Sequence, residues 1–331
     1  MECFLQSAGY EAVAMPVSGP YGEEVSAVYA RQGEVAVIEM AAAAGLPLVG
    51  ELGDPSQTTS YGVGELIRHG VENGCKRILL GLGGSATNDG GCGCAAALGV
   101  VFRNRLGECF CPVGATLDQI ASIDTSAARR LLEGVELTVM CDVTNPLYGP
   151  SGAAYVFAPQ KGADGAMTEE LDRQLRQFSS TVERELGICV AELPGAGAAG
   201  GMGGGCVALL GAASKPGIEA ILDTVDLDRY LEGADLVITG EGRIDSQSLH
   251  GKVISGVVRR AKLHRVPVVA IVGDVADSAY EAYELGVGAI FSTNRLAIPF
   301  QEAAPRSAAD YRRTLEDVLR LIRIAQGMGQ S

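Results

Sequence analysis

A chain that places Gly81-Leu82-Gly83-Gly84-Ser85-Ala86-Thr87-Asn88-Asp89-Gly90-Gly91 directly after the apolar run Arg77-Ile78-Leu79-Leu80 has few folds open to it. The run reads as a buried strand, the glycines as a tight turn, and Cys92-Gly93-Cys94-Ala95-Ala96-Ala97-Leu98 as the start of a helix. A helix N-terminus leaves backbone N–H groups without intrahelical partners, and its dipole favours an anion. The stretch is therefore a candidate seat for a phosphate or a carboxylate. Ser85, Thr87, Asn88 and Asp89 bring polar side chains to it, and no charge occurs from Ile78 to Asn88. No Gly-Lys-Ser/Thr follows, so it is not a Walker A loop, and Gly81, Gly83 and Gly84 break the spacing of a dinucleotide fingerprint.

The 331 residues allow two ordinary domains, and a hydrophobic fraction of 47% fills two cores. A formal net charge of −14 supplies no basic stripe for nucleic acid. Aromatic residues are 5% of the chain and Trp is absent, which disfavours stacking platforms and favours a small polar metabolite. Nine cysteines without the spacing of a zinc site, beside only three His, read as reduced thiols. The opening Met1-Glu2-Cys3-Phe4 has neither a basic region nor a long apolar core, so the expected location is the cytoplasm. The uncharged stretch from Leu193 to Ser214 is long enough for a membrane span, but its glycines make that helix implausible. It reads instead as a glycine-rich loop feeding a buried helix that runs through Leu210, and both close helix packing and ligand contact fit it.

Alternating runs around Ser18-Gly19-Pro20-Tyr21-Gly22 predict a hairpin, Glu34 to Met40 a third strand, and Thr58 to Asn73 a capped helix. Leu137-Thr138-Val139-Met140-Cys141 reads as a strand ending in Asp142-Val143-Thr144-Asn145, with Asp142 and Asn145 placed where α/β proteins carry their sites. Lys161 is a lone cation in an apolar segment, which fits either a surface lysine or an anion contact. Beyond residue 230 three short apolar runs alternate with helical patterns, the texture of a parallel sheet, so the boundary is expected there, with one domain over 1–230 and another over 231–331. The first of these runs ends in Gly240-Glu241-Gly242-Arg243-Ile244-Asp245-Ser246-Gln247-Ser248-Leu249-His250-Gly251-Lys252, the densest polar cluster in the chain.

The turn at 81–91 and the loop at 240–252 together resemble the bacterial-type glycerate kinases. Cys141 to Leu147, Pro159-Gln160-Lys161-Gly162 and Pro194 to Gly203 resemble the same family in the same order, and the likeness runs from about Val13 to the C-terminus. It implies an α/β protein of two domains, one with a flavodoxin-like (Rossmann-type) parallel sheet and the other an inserted mixed α/β domain. It also implies ATP as donor, Mg²⁺, and D-glycerate as acceptor, with 2-phosphoglycerate as product and 3-phosphoglycerate as the alternative. The family's N-terminal Asp-Ser-Phe-Lys and Ala-Asp-Gly-Gly motifs do not occur here. An incomplete flavodoxin-like sheet is therefore expected, with low stability, altered oligomerisation or weak activity. A homo-oligomer fits, as does an inactive glycerate- or nucleotide-binding remnant.

Phosphoryl transfer requires in-line placement, cations and a proton acceptor. Gly83, Gly84, Ser85, Thr87 and Asn88 are candidates for holding phosphate or carboxylate, and Asp142, Asn145, Lys161 and His250 for further substrate contacts. Arg243 and Lys252 would balance anionic charge. Asp245 is the expected base, with Glu241 and Asp89 as catalytic carboxylates that could also hold the metal. An NAD-dependent dehydrogenase is the rival enzyme class, and it lacks its fingerprint here.

Overall fold

The structure is a computed structural model and describes residues 2–5, 9–50, 53–245 and 253–328. The chain folds as two compact units that meet in sequence at Pro216 and Gly217.

In the first unit, β1 (Glu11–Ser18) and β2 (Glu24–Gln32) form the expected antiparallel hairpin, and β3 (Val35–Glu39) extends it. The β1 ladder runs unbroken from Glu11 to Ser18 through Pro16, the pattern of a proline whose nitrogen faces away from its partner strand. From β3 onward the sheet is parallel. β4 (Arg77–Gly81) lies beside β3 with its three central residues buried, as in a strand covered on both faces. Three short antiparallel strands, β5 (Val101–Arg103), β6 (Cys109–Phe110) and β7 (Ser122–Asp124), form a small separate sheet. The main sheet continues with β8 (Glu136–Met140) and the three-residue β9 (Ala213–Lys215), giving the order β1-β2-β3-β4-β8-β9. The Tyr61–Glu72, Gly165–Leu186 and Met202–Leu210 helices add Leu66, Ile67, Phe178 and Met202 to one core with Tyr29, Ile38 and Leu80.

The second unit is built on a parallel sheet ordered β10 (Val237–Thr239), β12 (Val268–Val272) and β14 (Val287–Ser292). A short parallel pair, β11 (Arg243–Ile244) with β13 (Asp274–Val275), lies just past the ends of β10 and β12. This unit opens at Gly217, earlier than the sequence texture suggests, because two helices ahead of residue 230 pack within it. Ile218 and Leu222 of the Gly217–Thr224 helix cluster with Val257, and Arg260 gathers Glu219, Asp223 and Asp228 around its guanidinium. No helix among the described residues is long and apolar enough to cross a membrane.

Candidate active site

The carboxyl ends of parallel strands are where open α/β sheets carry ligands, because the chain leaves the sheet there in loops that expose backbone. In the first unit β3, β4, β8 and β9 all end on one edge. At that edge the segment after β4 divides into an outer and an inner part. Gly83 and Gly84 are exposed, and a Cβ on Gly83 would project into open space. The lip is pinned at its back by Leu46 N–H donating to Gly84 O (2.9 Å) and Ala86 N–H to Ala44 O (2.8 Å). Ser85 is buried behind it, and Thr87, Asn88 and Asp89 have no solvent exposure.

The inner part answers the expectation of a free helix N-terminus. Oδ2 of Asp89 accepts from Ser60 N–H (2.8 Å), Ser60 Oγ–H (2.7 Å) and Gly93 N–H (3.1 Å), and Oδ1 accepts from Gly91 N–H (3.0 Å). Cys94 N–H donates to Ser60 Oγ at 2.9 Å, which directs the Ser60 proton onto the carboxylate. The anion held at the start of the Cys92–Ala97 helix is thus the chain's own Asp89. Burial pushes this carboxyl up while the bonds from Ser60, Gly91 and Gly93 pull it down. Because three of its four partners are fixed N–H donors, the turn is built around the ionised form. Asp89 has no oxygen facing solvent and staples the turn.

Lys161 is buried, which excludes the surface-lysine reading, and its Nζ donates to Thr87 O at 2.7 Å. Burial pushes the ammonium down to about 7, with the Asp89 charge opposing. Above pH 7 the unfolded chain keeps a proton on this residue that the folded chain has lost, so stability increases with pH. Asp89, shifted up, acts at the acidic end, where stability falls as pH rises from its unfolded value toward its folded one. The thiols of Cys92, pushed up by burial, and Cys94, pushed up by its bond to Cys206 and by burial, reverse the trend only near and above their unfolded value of 9.0. Urea denaturation should therefore show a gain of about 2 kcal/mol between about pH 7 and pH 8.5. A Lys161→Met variant should lack that gain.

The glycine-rich loop at 195–203 proves to be a packing element. A Cβ on Gly200 would lie 2.0 Å from Thr87 O, and one on Gly205, in the helix that follows, 1.9 Å from Gly90 O. Gly90 N–H donates to Gly200 O at 3.0 Å. The loop after β8 joins this assembly through Gly197 N–H on Asn145 O (3.0 Å), while the Asn145 side chain donates to Ser151 O (2.7 Å). Asp142 is exposed at the strand end. Beside it the half-buried Lys215 closes β9, its carbonyl accepting from Cys141 N–H at 3.0 Å, and Glu39 closes β3. Sequence reasoning passed over Glu39 and Lys215. Their signal was positional, a charge on the last residue of a parallel strand, and it becomes visible only once the strand order is known.

In the second unit a cavity of about 680 Å³ opens at the carboxyl ends of β10, β12 and β14, lined by Gly240, Glu241, Gly242, Thr293, Tyr311 and Arg312 among others. A smaller one of about 250 Å³ adjoins it, with Asp274, Asn294, Ser307 and Asp310 in its wall. Glu241 accepts from Ile254 N–H at 3.3 Å, capping the Val253–Leu263 helix with one carboxylate oxygen. Arg243 Nε lies 3.6 Å from Asp274 Oδ2, both side chains being exposed, and Asp245 is half-buried. His250 and Lys252 lie outside the described residues. Among the described residues no three His, Cys, Asp or Glu side chains converge on a metal position. A hard cation bound by one or two carboxylates together with nucleotide phosphates needs no such cluster.

A family model for the glycerate kinases matches residues 1–323. The chain belongs to the glycerate kinase family. The resemblance carried by the glycine turn and the 240–252 loop is borne out along nearly the whole sequence. The glycerate kinase of Bacillus subtilis (strain 168) is 44% identical over 315 residues, 94% of this chain and 82% of that protein. The glycerate 2-kinase of Escherichia coli (strain K12) is 46% identical over 279 residues, 83% and 73% of the two chains. A crystal structure from Salmonella typhimurium LT2, provisionally assigned as glycerate kinase 2, superposes with a TM-score of 0.86 at 41% identity, covering 98% of this chain and 86% of that one. The mixed α/β architecture with its parallel-rich sheets is therefore that of a glycerate kinase.

Proposed function

We propose that this chain transfers the γ-phosphoryl group of ATP to the 2-hydroxyl of D-glycerate, giving 2-phosphoglycerate. The observation that carries the reading is the match to the glycerate kinase family across residues 1–323, which takes in every polar cluster at the strand ends of both units. Likeness to a glycerate 2-kinase supports the 2-hydroxyl over the 3-hydroxyl.

The chemistry asks for little covalent participation from the protein and much placement. In the first unit the exposed Gly83–Gly84 lip offers backbone N–H groups to a carboxylate or phosphate. In the second, the 680 Å³ cavity suits a nucleotide, with Arg243 close by to balance its charge. Asp245 would accept the hydroxyl proton. Glu241, which has one carboxylate oxygen beyond the one capping the Val253–Leu263 helix, would hold Mg²⁺, and that ion neutralises phosphate charge when bound. Eight described cysteines carry free thiols, which fits a reducing compartment and supports the cytoplasm as location.

The test is ADP release coupled to a reporter, with MgATP and D-glycerate, and ³¹P NMR of the product. Asp245→Asn should lower kcat at least about 100-fold while KM for glycerate stays within about threefold. Turnover unchanged in that variant overturns the base assignment, and a folded wild type that binds glycerate without turnover overturns the kinase reading.

A further inference from the structure

Residues 87 and 88 lie in the middle of the glycine-rich segment, yet their side chains do not hold it. Thr87 Oγ1 and both polar atoms of the Asn88 amide are buried without a hydrogen-bond partner. Leaving such groups unpaired costs roughly 1–3 kcal/mol apiece, so this stretch has to be fixed by other bonds. The Asp89 staple grips the turn downstream, and Thr58 Oγ–H, donating to Ala86 O at 2.9 Å, grips it upstream. Between these two grips the peptide is met by Lys161 Nζ, donating to Thr87 O, from the Pro159–Lys161 helical turn 74 residues further along the chain.

We propose that Lys161 is a positioning residue of the glycerate kinase site, whose buried Nζ clamps the chain at Thr87 and so fixes the Gly83–Gly84 lip just upstream. The proposal rests on the reading of that lip as an anion seat. Lys161 itself is sealed from solvent and does not touch the substrate. An amine is costly to bury, charged or neutral, and an apolar side chain of similar length would fill the same space without that cost. Its presence is accounted for if a hydrogen-bond donor on Thr87 O is what the turn requires. The ionisable group facing it is Asp89.

The test compares the full-length wild type with Lys161→Met, which removes charge and donor at similar volume, and Lys161→Gln, which retains an N–H donor. Kinetics with D-glycerate and MgATP are read together with thermal melting and amide hydrogen exchange. For Lys161→Met we expect kcat/KM to fall at least about 100-fold, since a displacement of about 1 Å is enough for such a loss. The melting temperature should stay within a few degrees of wild type or rise. Amides of residues 82–93 should exchange at least about tenfold faster, with those of β12 unaffected. Lys161→Gln should recover part of both the rate and the protection.

Wild-type kinetics and protection in Lys161→Met overturn the proposal. So does lost activity with an unchanged turn, which would make Lys161 a direct contact. Failure of both variants to fold also overturns it, since the lysine would then be a folding residue. If the wild type itself proves inactive, the kinase reading fails and the exchange comparison alone still decides whether Lys161 clamps the turn.

Discussion

Gly200→Ala is expected to destabilise the first unit by at least about 4 kcal/mol, enough to leave it largely unfolded at 37 °C. Two effects combine at this position. The backbone is left-handed (φ +68°), which an alanine adopts at a cost of about 1–2 kcal/mol. Its Cβ would also stand 2.0 Å from Thr87 O and 2.6 Å from Asn88 Cα, atoms of a neighbouring backbone that cannot swing aside. To admit the methyl group the turn must retreat, giving up the Gly90–Gly200 bond and the Lys161 contact on Thr87. Gly211 provides the control. It has the same hand (φ +70°) but nothing within 4 Å of its Cβ, so Gly211→Ala should show the conformational cost alone. Equal losses for the two variants in urea denaturation would refute the packing argument.

Asp89→Asn should cost about 3–5 kcal/mol in the absence of any ligand. The carboxylate receives four bonds, and an amide in its place turns an NH₂ group toward backbone N–H donors that have no freedom to reverse. Were Asp89 a proton acceptor or metal ligand, the same change would spare stability and abolish kcat. Denaturation of the unliganded variant separates the two, and a midpoint equal to wild type would remove Asp89 from its structural role.

The strands were legible because their patterns are local: the 18–22 hairpin, the buried 77–81 run and the parallel texture after residue 230 all follow from residues a few positions apart. The sense of the glycine turn was not. Ser85, Thr87, Asn88 and Asp89 read as a polar surface inviting a ligand, whereas Asp89 finds its partner in Ser60, 29 residues away, and Thr87 in Lys161. Nothing in the turn announces those distant donors. Residue type alone likewise could not choose between packing and ligand contact for the 195–203 loop, because glycine serves a near backbone and a near ligand equally. The boundary lay earlier than the apolar strands implied, since Ile218 and Leu222 belong to the second unit by packing, a preference that helical periodicity does not reveal.

The main sheet of the first unit ends in two unequal margins, a proline-bearing strand on one side and a three-residue strand on the other. An exposed strand edge recruits further chains through its unpaired backbone groups. Pro16 withholds a donor from one margin, and β9 is too short to template a partner along the other. Neither margin of that sheet thus offers a second chain a long, uninterrupted row of backbone donors and acceptors.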